Sequence, residues 1–281
     1  MIWKHYSIIL RKARMLVVFA AFKKEAIDLI RMLESRKTVK LKKTVIYDGT
    51  IRNKRTVICI MGMGKSNSLY AFRKILKMKL ENPVFVIQGI SGAVADHLKI
   101  GDMIIYETVK NIEKFETSNN TDVRACSVSD IEEHKFDSGM VNFDSLKSSW
   151  ESGGKDLRIL KSSGGLVPHV VTDQREKLFL NKSYGVEAID MESYYIADIA
   201  KDNKIPVICI RSISDSLGEP ISELIVRFGS GGFCIKIKCL VSAIFSRSET
   251  RSIISSYKNI DIACRNLNLF VKKVLLPYFG N

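Results

Sequence analysis

In IDMESYYIADIAKDNKIPVICIRSISD, residues 189–215, acidic residues stand at the edges of apolar segments. Ile189 to Ala200 has the pattern of a strand end turning into a helix, and Pro206 to Ile213 that of a buried strand. Asp190 and Glu192 then fall where a buried helix begins, and Asp215 where a buried strand ends. A buried carboxylate without a partner is costly, so these groups must meet counter-ions or face a cleft. Carboxyl groups in a cleft can move a proton, accept hydrogen bonds or stabilise a developing cation.

Three other segments place glycines or an acid at strand ends, where sites gather in open α/β sheets. In VVFAAFKKEAIDLI, Glu25 lies in the first turn after an apolar strand, a position the helix macrodipole alone also favours for an acid. In IMGMGKS, a strand runs into Gly62-Met63-Gly64 and then a helix, a turn that exposes backbone N–H groups to a ligand. Its spacing is neither that of a dinucleotide fingerprint nor that of a P-loop. In VIQGISGAVADHLKIGDMII, Gly89, Ser91 and Gly92 follow a buried strand, and Gly101-Asp102 leads into the next. The four histidines are scattered and the six cysteines have no metal-type spacing, so no metal site is expected.

Taken in order over about residues 16 to 217, these pieces resemble the nucleoside phosphorylase and nucleosidase superfamily, which includes methylthioadenosine/S-adenosylhomocysteine nucleosidase. That family has an acid after the first strand, here Glu25, and a Gly-x-Gly-Lys turn, here Gly62 to Lys65. It has a Gly-x-x-Gly turn and then a Gly-Asp, here Gly89 to Gly92 and Gly101-Asp102. Its Met-Glu before a helix matches Met191-Glu192, and its Ser-Asp after a strand matches Ser214-Asp215. GGLVPHVVTDQREK, Asp-Met-Glu-Ser at 190–193 and the helical tail with its proline resemble the hopanoid-associated phosphorylase branch, whose members remove adenine from an adenosylated hopanoid lipid.

The resemblance implies an α/β fold, a three-layer αβα sandwich around a twisted mixed central sheet with a helical C-terminal extension. It implies cleavage of the N-glycosidic bond of a purine nucleoside, with Asp215 as general acid at the base and Glu25 positioning or deprotonating water. Glu192 would hold the ribose hydroxyls, with Met191, Ser91, Gly92 and Ser214 lining the same pocket. Gly62 and Gly64 would form the turn on the water or anion side. Arg211 would either pair with one of the acids at the substrate or serve as a structural counter-ion. No cofactor is implied, and inorganic phosphate enters only as the co-substrate of a phosphorylase.

The family's phosphorylases hold phosphate through an arginine two residues before the first glycine of Gly-x-x-Gly. Ile87 stands there, and an apolar side chain cannot replace a bidentate guanidinium. Hydrolysis is therefore the expectation, with phosphorolysis and a non-catalytic nucleoside-binding member as the alternatives. The chain also departs from the nucleosidases in Lys23-Lys24 before Glu25, in aspartate at 190 where they have glutamate, and in lacking their phenylalanine segment in GGLVPHVV.

Composition sets the frame for these elements. The 281 residues are 46% hydrophobic and 26% charged, as in an ordinary globular protein with a sizeable core. The net charge of +14 is spread without a basic block or an aromatic-interleaved stripe, which favours a solvated basic surface over a nucleic-acid partner. Met15 to Phe22 reads as a first core strand rather than a secretory signal. Cys59 and Cys209 sit in apolar runs as small hydrophobes, the usage of a reducing, cytoplasmic setting.

Along the chain, strands are expected at 15–21, 44–48, 55–61, 84–90, 102–109 and within 155–171. Helices are expected at 23–33, 65–79 and 173–182, with two helix-like stretches after Asp215 separated near 245–249. Residues 110–155 read as a polar surface excursion with some flexible parts, and 15–281 as one domain with a helical tail at 222–281. The tail's apolar face, flanked by Lys258, Arg265, Lys272 and Lys273, fits packing on the domain or across a dimer interface. It also fits a helix lying on a membrane to reach a lipid-linked substrate. The resemblance implies a dimer or larger homo-oligomer, with a neighbouring subunit near the 5′ end of the substrate.

Overall fold

The computed structural model describes residues 15–114, 131–137, 142–152, 158–219, 221 and 247–277. Its sheet is mixed. Strands β1 (Met15–Ala20), β4 (Lys54–Ile60), β5 (Pro83–Ala93) and β10 (Val207–Asp215) run parallel and adjacent in the order β4-β1-β5-β10. Beyond β4, the antiparallel strands β3 (Thr44–Ile51) and β2 (Glu34–Leu41) extend the sheet. On the other side, β6 (Met103–Asn111) pairs antiparallel to β10 and parallel to β8 (Ile159–Leu166). The short β9 (Ala188–Asp190) joins β8 back to the end of β5, so five strands close on themselves.

Every residue of β1 and of β10 is buried, as expected for parallel strands covered on both faces. Alternate residues of β1 go to different cores. Leu16, Val18 and Ala20 pack with helices α1 (Ile27–Met32), α3 (Phe143–Glu151) and α6 (Arg247–Phe270). Met15, Val17 and Phe19 pack with α2 (Lys65–Leu76) and α5 (Ser193–Asp202). A third cluster seats α4 (Gln174–Tyr184) through Leu180 and Tyr184. The layers are helices, sheet and helices, as the resemblance implies.

The structure departs from these expectations at three points. The helix expected at 23–33 opens as a 3₁₀ turn, Lys23–Ala26, and becomes α-helical only from Ile27, because the Glu25 carboxylate turns back to the Phe22 N–H. Strand β2 escapes a hydrophobic pattern because ESRKTVKL has no apolar face; it is an exposed edge held by its ladder to β3. The hairpin connection between strands 44–48 and 55–61, expected through Asp48-Gly49 and Asn53, is shorter. Gly49 lies inside β3, where a Cβ would sit 2.5 Å from the Glu34 carbonyl, and the turn is Arg52-Asn53, both at positive φ, as a two-residue hairpin requires.

The excursion at 110–155 is in part core. Within its described residues, β7 (Glu133–Lys135) pairs with β6, and α3 buries Leu146 and Trp150, the latter against the Phe270 ring. The helical stretch expected between 222 and 244 lies outside the described residues. The second stretch is α6, and it spends its apolar face on the domain: Ala263, Leu267 and Phe270 are fully buried. Among the described residues, no helix is long and apolar enough to cross a membrane.

Candidate active site

The carboxyl ends of β1, β4, β5 and β10 lie at one edge of the sheet, and the motifs follow from those ends. In register, Gly89 of β5 faces Arg211 of β10, Ser91 faces Ile213, and Gly92 faces Asp215. On its other side, Gly92 pairs with Ile189 of β9, whose strand delivers Asp190 and then Glu192. Strand β5 therefore sets the two ends of the segment 189–215 on either side of Gly92. The Glu25 turn joins them through Oε1, which accepts the Ile90 N–H at 3.0 Å.

These elements enclose a cavity of about 400 Å³. Glu25, Ser91, Gly92, Met191, Glu192, Ser214 and Asp215 all line it. Arg211 does not. It lies fully buried beneath the floor, 3.0 Å from Asp190 Oδ1 and 4.0 Å from Glu192 Oε2, and donates to Ser193 Oγ at 2.6 Å. The structural counter-ion is the alternative this placement supports. Gly62 and Gly64 also stay behind the wall. The N–H of Gly64 donates to Glu192 Oε1 at 2.9 Å instead of facing an anion, while Met63 between them reaches the cavity.

Each acid has a distinct environment. Glu25 is buried; Oε2 accepts the Phe22 N–H at 2.8 Å, and Gln88 Nε2 donates to its carbonyl at 2.8 Å. Burial pushes its pKa up, with Arg211 and the backbone donors opposing. Glu192 is pushed up to about 7, first by burial and then by Asp190, against the pull of Arg211 and the Gly64 N–H. Asp190 serves the fold: Oδ1 accepts the N–H groups of Glu192 and Ser193 at 2.9 and 2.7 Å, and Oδ2 the Ser193 hydroxyl at 2.8 Å. It fixes the first turn of α5 and neutralises Arg211.

Asp215 crosses above Gly92, where a Cβ would sit 2.9 Å from Oδ2. Ser214 Oγ donates to Oδ1 at 2.7 Å, and the Lys177 ammonium donates to Oδ2. Lys177 is wholly buried. Sequence reading missed it, although one signal existed: with Leu180 and Tyr184 it lies on the buried stripe of α4, where a lysine needs a partner. The same reading missed His169, a cavity residue 3.2 Å from Glu176 Oε1, a contact that raises its pKa. The third omission is the wall from α6, Tyr257, Ile260 and Cys264, which faces Phe22 and Lys24 of the Glu25 turn.

Two lysines beside these turns are held by acids. Lys24 pairs with Asp261 at 2.9 Å, and Lys65 with Glu113 at 2.7 Å. Ile87 is packed in the core beneath α2 and α5. Asp102 binds Arg158 and the Lys99 N–H, away from the cavity. Among the described residues, no group of three or more His, Cys, Asp or Glu side chains is arranged to hold a metal ion.

Comparison with known proteins bears on the fold and the family. A 5′-methylthioadenosine/S-adenosylhomocysteine nucleosidase of Shewanella loihica is 24% identical over 204 residues, 71% of this chain and 85% of that protein. A purine nucleoside phosphorylase of the DeoD type from Buchnera aphidicola is 25% identical over 61% of this chain and 68% of its own length. Among solved structures, the Neisseria meningitidis nucleosidase in complex with methylthio-immucillin-A has a TM-score of 0.65 at 18% identity, covering 93% of this chain and 98% of that one. Helicobacter pylori futalosine hydrolase has a TM-score of 0.66 at 14% identity, covering 94% and 98%. The phosphorylase superfamily model matches residues 15–229, and the chain belongs to that superfamily.

Proposed function

We propose that this protein cleaves the N-glycosidic bond of an adenine nucleoside by hydrolysis. The observation that carries the reading is the convergence of Glu25, Glu192 and Asp215, from the ends of three different elements, on one nucleoside-sized cavity. Breaking the bond builds positive charge on the ribose and requires the purine to gain a proton. Asp215 serves purine N7. Glu192, with Oε1 fixed by Gly64, accepts from the ribose hydroxyls and favours the cationic transition state. Glu25, held by two backbone N–H groups and with its basicity raised by burial, takes the proton of the attacking water.

Water is favoured over phosphate because the cations at the described cavity already meet carboxylates, Lys177 at Asp215 and His169 at Glu176, which leaves a phosphate dianion little to bind. The position where phosphorylases carry arginine is buried Ile87, Glu25 faces the anion side, and Lys24 is paired with Asp261. The wall of Phe22, Ile221, Tyr257 and Ile260 supports a 5′ substituent that is apolar next to the sugar, the thioether of methylthioadenosine or S-adenosylhomocysteine or the chain of an adenosylated hopanoid. The working form in this reading is a cytoplasmic homo-oligomer, a dimer or larger. Product analysis with adenosine, methylthioadenosine, S-adenosylhomocysteine and inosine, with and without phosphate, tests the proposal. Adenine and free sugar should form in phosphate-free buffer; release only after phosphate is added would establish the phosphorolytic alternative.

A further inference from the structure

We infer that Lys177 is the positioning residue of Asp215 and the source of the proton that Asp215 passes to the leaving base. The inference rests on the hydrolytic reading above and deepens it. An ordinary aspartate is ionised at neutral pH and has no proton to give. Something in the site must supply one. Lys177 Nζ touches Asp215 Oδ2 and donates to the Ser216 carbonyl at 3.1 Å, and the side chain is fully buried. Burying an ammonium inside a mostly apolar helix face is expensive unless its charge is used. Here the partner is the acid at the base end of the cavity.

The other contacts of Asp215 leave this proton path alone. Ser214 Oγ holds Oδ1 at 2.7 Å and can also lean on the Ser91 carbonyl at 3.2 Å, so it orients the carboxylate without adding charge. Gly92 lends no side chain and lets the carboxylate lie flat across β5. The lysine arrives from α4, whose start is fixed by the Asp173 side chain accepting the Arg175 and Glu176 N–H groups at 2.7 and 3.1 Å. A capped helix of 11 residues holds the ammonium on a rigid element.

The steps balance. As C1′–N9 breaks, its electron pair goes to the purine, and N7 takes a proton through Asp215 while Nζ delivers one to Oδ2. The pair is left as carboxylate and amine. Water adds to C1′ as hydroxyl and gives its proton to Glu25, and solvent returns that proton to Nζ. The net change is one water split between sugar and base.

The test compares wild type, Lys177→Met and Lys177→Gln, each verified as folded by circular dichroism and by adenine binding. With methylthioadenosine as probe, both variants should lose about 10²–10⁴-fold in kcat, the usual contribution of a general acid, with KM within about threefold. Lys177→Gln keeps a neutral donor to Asp215, so its loss isolates the ammonium from the hydrogen bond. With 4-nitrophenyl β-D-ribofuranoside, whose phenolate leaves without a proton, the loss should shrink below about tenfold, because a general acid contributes little to such a leaving group. Wild-type turnover by Lys177→Gln would overturn the inference. Equal losses on both substrates, or refusal of the phenyl riboside by wild type together with a KM-only effect on methylthioadenosine, would also overturn it and leave Lys177 a structural group. A wild-type enzyme that releases adenine from no nucleoside would instead remove the hydrolytic reading itself.

Discussion

The backbone N–H of Gly64 donates to Glu192 Oε1 at 2.9 Å, tying a turn after β4 to an acid 128 positions later in the chain. Gly64 adopts φ +83° and ψ 173°, a region essentially reserved for glycine. Gly64→Ala should therefore lose roughly 1–3 kcal/mol of stability and release Glu192 from its anchor. Thermal melting together with kcat/KM on methylthioadenosine checks both effects. A variant as stable and as active as wild type would show that the tie is dispensable.

Glu192 gives a pH signature. Its folded pKa of about 7 lies above the ordinary carboxyl value of 4.5, so the native state binds more protons than the unfolded chain between those pH values. Its contribution to stability is then fully present below about 4.5 and declines as pH rises to about 7. Glu192→Gln, permanently neutral, should be more stable than wild type at pH 8 by on the order of 1–3 kcal/mol, a gap that closes near pH 5. Urea titrations at the two pH values measure it. In the hydrolytic reading the same substitution should slow turnover, because the ionised form is the one proposed to accept from the sugar.

Asp215→Asn should lose roughly 3–5 kcal/mol of transition-state stabilisation, read from kcat/KM for adenine release. The substitution also leaves the buried Lys177 ammonium without its carboxylate, so melting should fall as well, and turnover is compared at a temperature where both proteins are folded. Wild-type-like turnover would end the assignment of the base-side acid.

Arg211 is the cation on which two acids depend. Arg211→Met removes the charge and leaves Asp190 buried with hydrogen bonds but no counter-ion, which should destabilise by about 3–5 kcal/mol. Adding Asp190→Asn should recover part of that loss in a double-mutant cycle followed by chemical denaturation. Additive losses would mean that the two groups do not interact energetically.

Much of this site was legible because its acids sit at the ends of strands with strong hydrophobic patterns. Glu25, Glu192 and Asp215 could each be placed at an element boundary, and β5 brings those boundaries together. The roles of Arg211 and Gly64 were less legible. A glycine-rich turn looks alike whether its N–H groups face a ligand or a neighbouring carboxylate, and only the fold shows that Gly64 points to Glu192. Lys177 stayed hidden because lysines belong on surfaces by default, and its partner lies 38 positions away. Strand β2 carries no apolar alternation, so its sheet membership comes from backbone pairing that composition does not encode.

Helix α6 is joined to the Glu25 turn at several points. Asn268 accepts the Asp28 N–H at 3.1 Å and donates to the Lys24 carbonyl at 2.9 Å, and Asp261 holds the Lys24 ammonium. The helix also forms the outer cavity wall through Tyr257 and Ile260. A guest bulky enough to lever this helix outward therefore tugs on the loop that carries Glu25. In the hydrolytic reading, tolerance for size and activation of the attacking water are thereby mechanically linked, and a longer substituent is felt at the far end of the sugar before any bond is broken.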